Sequence, residues 1–217
     1  AAKVISEIVR SSLGPRGMDK MLVDSMGDVT ITNDGATILK EIDVQHPAAK
    51  MMVELSKTAD TEVGDGTTSV VILAGSLIEK AEELIEKEVH PTIVVDGYKK
   101  AAAQAMKILE NISIKISPGD KVWLNKVAKT SMASKLIWRE SDLLSSIVTD
   151  AVLAIADNDN GKYKVDIDDI KVEKKSGGSI SDSTIIQGIV LDKEVVHSGM
   201  PKKVDDGKLA LLNTALE

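Results

Sequence analysis

The sequence contains no cysteine and no phenylalanine, and only two tryptophans, two tyrosines and three histidines. Without cysteine there is neither a disulfide nor a thiolate metal site, a composition that suits a reducing compartment, and the cytoplasm is the expected location. The scarcity of aromatic rings excludes the stacking platforms that hold single-stranded nucleic acid. It also makes the core aliphatic, built on Val, Ile, Leu, Ala and eight Met. Basic charge is not concentrated anywhere: the 27 Lys and Arg are scattered and the formal net charge is -7, so no nucleic-acid partner is expected. No apolar run approaches the length of a membrane span, and "AAKVISEIVRSS" lacks the uninterrupted apolar segment of a signal peptide, so no membrane partner is expected either. His46, His90 and His197 are far apart and share no helical face with an acidic ligand, which argues against zinc. Neither a nucleophile-elbow G-x-S-x-G nor a Walker G-x-x-x-x-G-K-[ST] occurs.

What is present is ordinary for a folded chain: 217 residues, 43% hydrophobic and 28% charged, enough for one large or two modest domains. Ile5, Ile8, Val9 and Leu13 fall at helical spacing, and Gly14-Pro15 must end that helix. In "DVTITNDGATILKEI" β-branched and apolar residues flank Asn33-Asp34-Gly35, a pattern that predicts a β-hairpin turning at those three residues. Met51, Met52 and Leu55 predict a second helix from Pro47 to about Thr58, and a third runs from near Thr67 to about Glu88, its charged end a solvated face. Pro91 opens a fourth. Beyond "SPGD" a fifth and a sixth follow, marked by Leu124, Val127 and Ala128 and then by Leu143, Leu144, Ile147 and Val148. From Val165 onward short apolar runs between Gly and Asp turns read as strands. Boundaries are placed near residues 120 and 188. Met18, Met21 and Met26 are expected to fill the core, the alternative being an adaptable contact surface.

The chemistry concentrates at "GDGTTS". Gly64 and Gly66 free the backbone, Thr67, Thr68 and Ser69 add hydroxyls, and an apolar helix follows at once. Helix N-termini present convergent N–H donors and the positive end of the dipole, the arrangement that holds phosphate. Asp65 would repel a phosphate unless a hard cation such as Mg2+ bridges the two. The other reading is a plain helix cap, because Asp and Thr are good N-cap residues. The Asn33-Asp34-Gly35 stretch, taken alone, is a turn.

Three such glycine sites in this order, with these neighbours, resemble the group II chaperonins. "SLGPRGMDKMLVDSMGDVTITNDGATIL", "HPAAKMMVELSKTADTEVGDGTTSVVILAG" and "HPTIVVDGYKKA" carry the resemblance, which continues through "TSMASKL", "KVDIDDIKVEKKSGGSISDS" and "IIQGIVLDKEVVHSGMPKKV" to "LALLNTALE". It corresponds to the first part of a family subunit. The resemblance implies a multidomain fold: a mainly α-helical equatorial domain with a β-hairpin at 1–119, an α+β intermediate domain at 120–187, and the start of a β-containing apical domain at 188–217. It implies ATP/ADP and Mg2+ as ligands, unfolded client proteins as substrates, and identical or paralogous subunits in a double ring as partners. Residue by residue, it puts Leu13, Gly14 and Pro15 beside the phosphates and base, makes Asp65 the Mg2+ ligand, and makes Gly66, Thr67, Thr68 and Ser69 the donors around the phosphates. Asp34 is similar to the family's catalytic carboxylate that positions or deprotonates the attacking water, and Ser134 and Lys135 resemble the loop that senses the nucleotide.

The function implied is an ATP-hydrolysing subunit that drives protein folding through ring conformational change. The alternative is a non-catalytic fragment that packs into a ring. A small-molecule kinase using "DGTT" is a third class, for which the sequence offers no acceptor pocket.

Overall fold

In a computed structural model of the chain, residues 1–159 and 162–214 are described. The first helix, α1 (Ala2–Arg10), buries the stripe Ala2, Ile5, Ser6 and Val9. It stops short of Leu13: the Ser12 hydroxyl donates to the Val9 carbonyl, and Gly14 turns the chain at φ +82°. Strands β1 (Lys20–Val23) and β2 (Val29–Thr32) then pair antiparallel, Lys20 opposite Thr32 and Val23 opposite Val29.

The hairpin therefore turns at residues 24–28, not at Asn33-Asp34-Gly35. Asp24 makes the turn, its Oδ1 accepting from the backbone of Met26 and Asp28, both at 2.8 Å, while Gly27 supplies φ +92°. Asp34 instead is extended, at φ -80° and ψ 125°, and caps the short helix α2 (Gly35–Glu41). Adjacent Ile38 and Leu39 are both buried, which a helix face allows and an alternating strand forbids. The methionines are corrected too: Met18, Met21 and Met26 lie on the surface rather than in the core.

Three long helices follow. Helix α3 (Pro47–Val63) runs past the predicted stop near Thr58 until Gly64, in the left-handed region at φ +73°, donates its N–H to the carbonyls of Ala59 and Asp60. Helix α4 (Thr67–Glu86) and helix α5 (Pro91–Ile112) complete the set. His46 and His90 each stand before a helix-opening proline, and each ring Nδ1 accepts from the backbone N–H two residues on. The core gathers α1, α2, α3 and α4 around Ile5, Val9, Ile38, Leu39, Met52 and Val71. Its tightest crossing is at Gly75, where a Cβ would come within 2.4 Å of the Ser6 side chain.

Helix α6 (Lys121–Met132), capped by Asp120, pairs with α7 (Ser141–Ile155) through Ser145 to Asn125 at 2.9 Å and Lys121 to Asp150 at 2.6 Å. Strands β3 (Asp157–Asp159) and β4 (Lys162–Lys164) form a second small hairpin. Among the described residues the strands expected from Val165 onward do not form. A strand needs a hydrogen-bonded neighbour, and the described residues there offer none: two 3-10 turns occur, and Ile167, Val172, Ile189 and Leu191 are exposed. Among the described residues the chain is thus mainly helical with two small antiparallel sheets, and no helix is long and apolar enough to cross a membrane.

Candidate functional site

The site grows from the start of α4. An α-helix leaves its first N–H groups without intrahelical partners, and α2, α3, α5 and α6 satisfy one or more of theirs with a capping side chain. Helix α4 does not. Its N-cap is Gly66 at φ +75°, which brings no side-chain acceptor and leaves open space where a Cβ would stand. The amides of Thr67, Thr68 and Ser69 consequently begin a 20-residue helix with no side-chain cap and the full dipole behind them. Beside them Asp65 is exposed, its Oδ1 accepting from the Gly66 N–H at 2.7 Å and its Oδ2 from the Ser131 hydroxyl of α6 at 2.7 Å.

A second helix start lies against the first. A Cβ on Gly35 would fall 2.6 Å from Thr68 Oγ1 and 2.9 Å from the Thr68 Cα and N, so glycine is what lets α2 and α4 begin side by side. Asp34, one residue before, is held from all sides. Its Oδ2 accepts from the Thr37 amide and hydroxyl, both at 3.0 Å, and its Oδ1 from the Thr67 hydroxyl at 3.2 Å and the Lys135 ammonium at 2.9 Å. Burial alone would raise the Asp34 carboxyl; the Thr37 amide and Lys135 outweigh it and hold the group below its ordinary value. The buried Asn33 amide donates to the Ser134 carbonyl at 2.7 Å, pinning the loop that carries Lys135 across the site.

These pieces surround a cleft open to solvent. Of the residues singled out in the sequence, Leu13, Gly14, Asp65, Gly66, Thr67, Thr68, Ser69, Ser134 and Lys135 line it together. Pro15 is not in the lining, and Asp34 sits behind it, reached through Thr67 and Lys135. Sequence reasoning missed Ser12 and Asn33 in the lining and Ser131 on Asp65. Asn33 was visible as a turn residue; Ser12 and Ser131 carry no signal of their own. Among the described residues no three His, Cys, Asp or Glu come together as a metal cage. A single exposed carboxylate with neighbouring hydroxyls is the donor set that Mg2+ accepts when phosphate oxygens and water complete its octahedron, so the residues at Asp65 fit that ion.

Residues 5–217 match the model of the TCP-1/cpn60 chaperonin family. Over all 217 residues the chain is 55% identical to a thermosome subunit of Pyrococcus abyssi, and 57% identical to the thermosome subunit beta of Archaeoglobus fulgidus. It is 55% identical, over an alignment of 227 positions, to the thermosome subunit alpha of Sulfolobus acidocaldarius. In the first two cases the whole of this chain is covered and 40% of the relative, in the third 41%, so the chain spans well under half the length of the curated relatives it matches. With more than half of all positions identical from end to end and the family model matched from Ile5 onward, the chain belongs to the TCP-1/cpn60 chaperonin family.

Proposed function

We propose that the chain is the nucleotide-binding portion of an ATP-driven protein-folding chaperonin subunit. The observation that carries this reading is the uncapped start of α4, opening into a cleft lined by Asp65 and Lys135, with Asp34 behind it on the Lys135 ammonium. In this reading the amides and hydroxyls of Gly66, Thr67, Thr68 and Ser69 take the phosphates of ATP or ADP, while Leu13, Gly14 and Pro15 border the nucleotide. Asp65 holds Mg2+, which when bound neutralises phosphate charge and polarises the bond to the transferred group. Asp34 orients the attacking water. Its carboxyl is a poor proton acceptor while Lys135 is beside it, and it gains basicity if Lys135 moves onto the terminal phosphate. Ser134 and Lys135 then report the presence of that phosphate through the loop that follows α6.

Residues 1–119 are assigned to an equatorial domain, 120–187 to an intermediate domain and 188–217 to the beginning of an apical domain. The partition is supported by a core confined to α1–α4, by the separate α6–α7 pair, and by the change to irregular chain after Lys164. Partners would be identical or paralogous subunits in a double ring and unfolded client proteins, in the cytoplasm. Calorimetry tests the reading: Mg-ATP should bind the chain, and Asp65→Ala should abolish binding. In a polypeptide of the relatives' length, Asp34→Ala should bind nucleotide yet turn over at least roughly a hundredfold more slowly; unchanged turnover would remove Asp34 from its role. Absence of Mg-ATP binding, with ring assembly seen by size analysis, would favour a non-catalytic structural fragment.

A further inference from the structure

We propose that Ser131 is a positioning residue for the Asp65 carboxylate, and that through it the end of α6 is coupled to metal at Asp65; this rests on reading Asp65 as the Mg2+ ligand. Several hydroxyls inside the helices fold back on their own backbone: Thr58 donates to the Glu54 carbonyl, Thr61 to Lys57 and Thr130 to Lys126. Ser131, next to Thr130 in the last turn of α6, does not. It donates across 66 positions of sequence to Asp65 Oδ2 at 2.7 Å.

That bond decides how an exposed carboxylate stands. Asp65 sits between two glycines in the left-handed region, at φ +73° and φ +75°. Gly64 and Gly66 contribute no side-chain bulk beside Asp65, so its two hydrogen bonds weigh heavily in setting its rotamer. The Gly66 N–H takes one oxygen and Ser131 the other. An ionised carboxylate offers about four lone-pair sites, so two donors leave about half of them for a cation. Ser131 therefore orients Asp65 without consuming its capacity to bind metal. Hydrogen bonds of this kind to a ligating carboxylate are worth about 10–100-fold in metal affinity.

The same bond links site and helix. Immediately beyond α6, Asn33 holds the Ser134 carbonyl and Asp34 holds Lys135. The end of α6 thus rests on the nucleotide cleft at three points, one of which is the metal-bearing carboxylate. Coupling of this sort is reciprocal: whatever seats α6 tightens metal at Asp65, and metal at Asp65 seats α6.

The test uses Mn2+ as a paramagnetic probe, titrated in the presence of ADP and followed by electron paramagnetic resonance, with amide hydrogen exchange of residues 131–135 as a second readout. Ser131→Ala should weaken Mn2+ binding about 10–100-fold and abolish the Mn2+-dependent protection of 131–135, with an unchanged thermal melt. Ser131→Thr, which keeps the hydroxyl, should restore both. Unchanged or tighter Mn2+ binding in Ser131→Ala, or failure of Ser131→Thr to restore it, overturns the proposal. Asp65→Ala separates the two levels. If it abolishes Mn2+ binding while Ser131→Ala does not weaken it, only the role of Ser131 falls; if the unsubstituted chain binds no Mn2+, or Asp65→Ala binds it equally, the reading of Asp65 as the metal ligand falls and takes this inference with it.

Discussion

Asp34 carries two separable tasks in the folded chain, and substitution can divide them. Its Oδ2 caps α2 through the Thr37 amide, and its Oδ1 meets the half-buried Lys135 ammonium at 2.9 Å. Loss of an N-cap costs about 1 kcal/mol, and an ion pair of this partial exposure contributes about 1 kcal/mol or less. Asp34→Ala loses both and should lower stability by roughly 2 kcal/mol, which for a chain of this size moves the thermal midpoint by about 4–8 °C. Asn caps helices as well as Asp does, so Asp34→Asn should lose only the ion pair, about 1 kcal/mol. Lys135→Met should cost a similar amount in the unsubstituted protein and nothing further in the Asp34→Asn background. Urea unfolding of the four proteins measures the cycle. Equal losses for Asp34→Ala and Asp34→Asn would refute the capping role, and additive losses for Asp34→Asn and Lys135→Met would refute the ion pair. The pH dependence has a fixed sign. Because the Asp34 carboxyl is held below 3.8 in the fold, its ionic contribution is present above that value and is lost as pH falls through the lowered one, so the gap between the parent and Asp34→Asn closes in acid.

Gly35→Ala would drive a methyl into the Thr68 backbone at 2.9 Å and should cost about 1–3 kcal/mol while displacing the start of α2 from α4. Gly66→Ala meets open space but keeps φ +75°, so its cost of about 1–2 kcal/mol is conformational and should appear in a melt without displacing α2. A paired crystal structure or chemical-shift comparison tells these apart, and a displaced α2 in Gly66→Ala would contradict the assignment. His46→Ala and His90→Ala each remove a side-chain cap and should cost about 0.5–1 kcal/mol in urea unfolding, with Ser at either position restoring it.

The helices were legible because their apolar residues recur at helical spacing and because proline and glycine mark their ends: Pro47, Gly64 and Pro91 stand where the structure starts or stops a helix. The turn at Asn33-Asp34-Gly35 was misread because Asp-Gly serves equally as a hairpin loop and as an N-cap with its first helical residue. What decided between them was the adjacent burial of Ile38 and Leu39, together with an Asp24 side chain that builds the true turn eight residues earlier in the hairpin. The strands expected beyond Val165 failed for a different reason. Apolar content and turn residues describe a strand's own preferences, whereas the strand exists only against a neighbour, and the described residues supply none. At the site, glycine spacing announced the α4 start, but not that α2 begins against it or that Asn33 and Ser131 lock α6 onto it. Those contacts join residues 33 to 101 positions apart, a distance over which local pattern carries no information.

Amide chemical shifts report whether the uncapped start of α4 holds nucleotide phosphate with metal at Asp65. On addition of Mg-ADP, the N–H signals of Gly66, Thr67, Thr68 and Ser69 should move more than any others, and chelation of the metal with EDTA should reverse most of the change. Shifts that leave residues 66–69 untouched, or that are the same with and without metal, would contradict it.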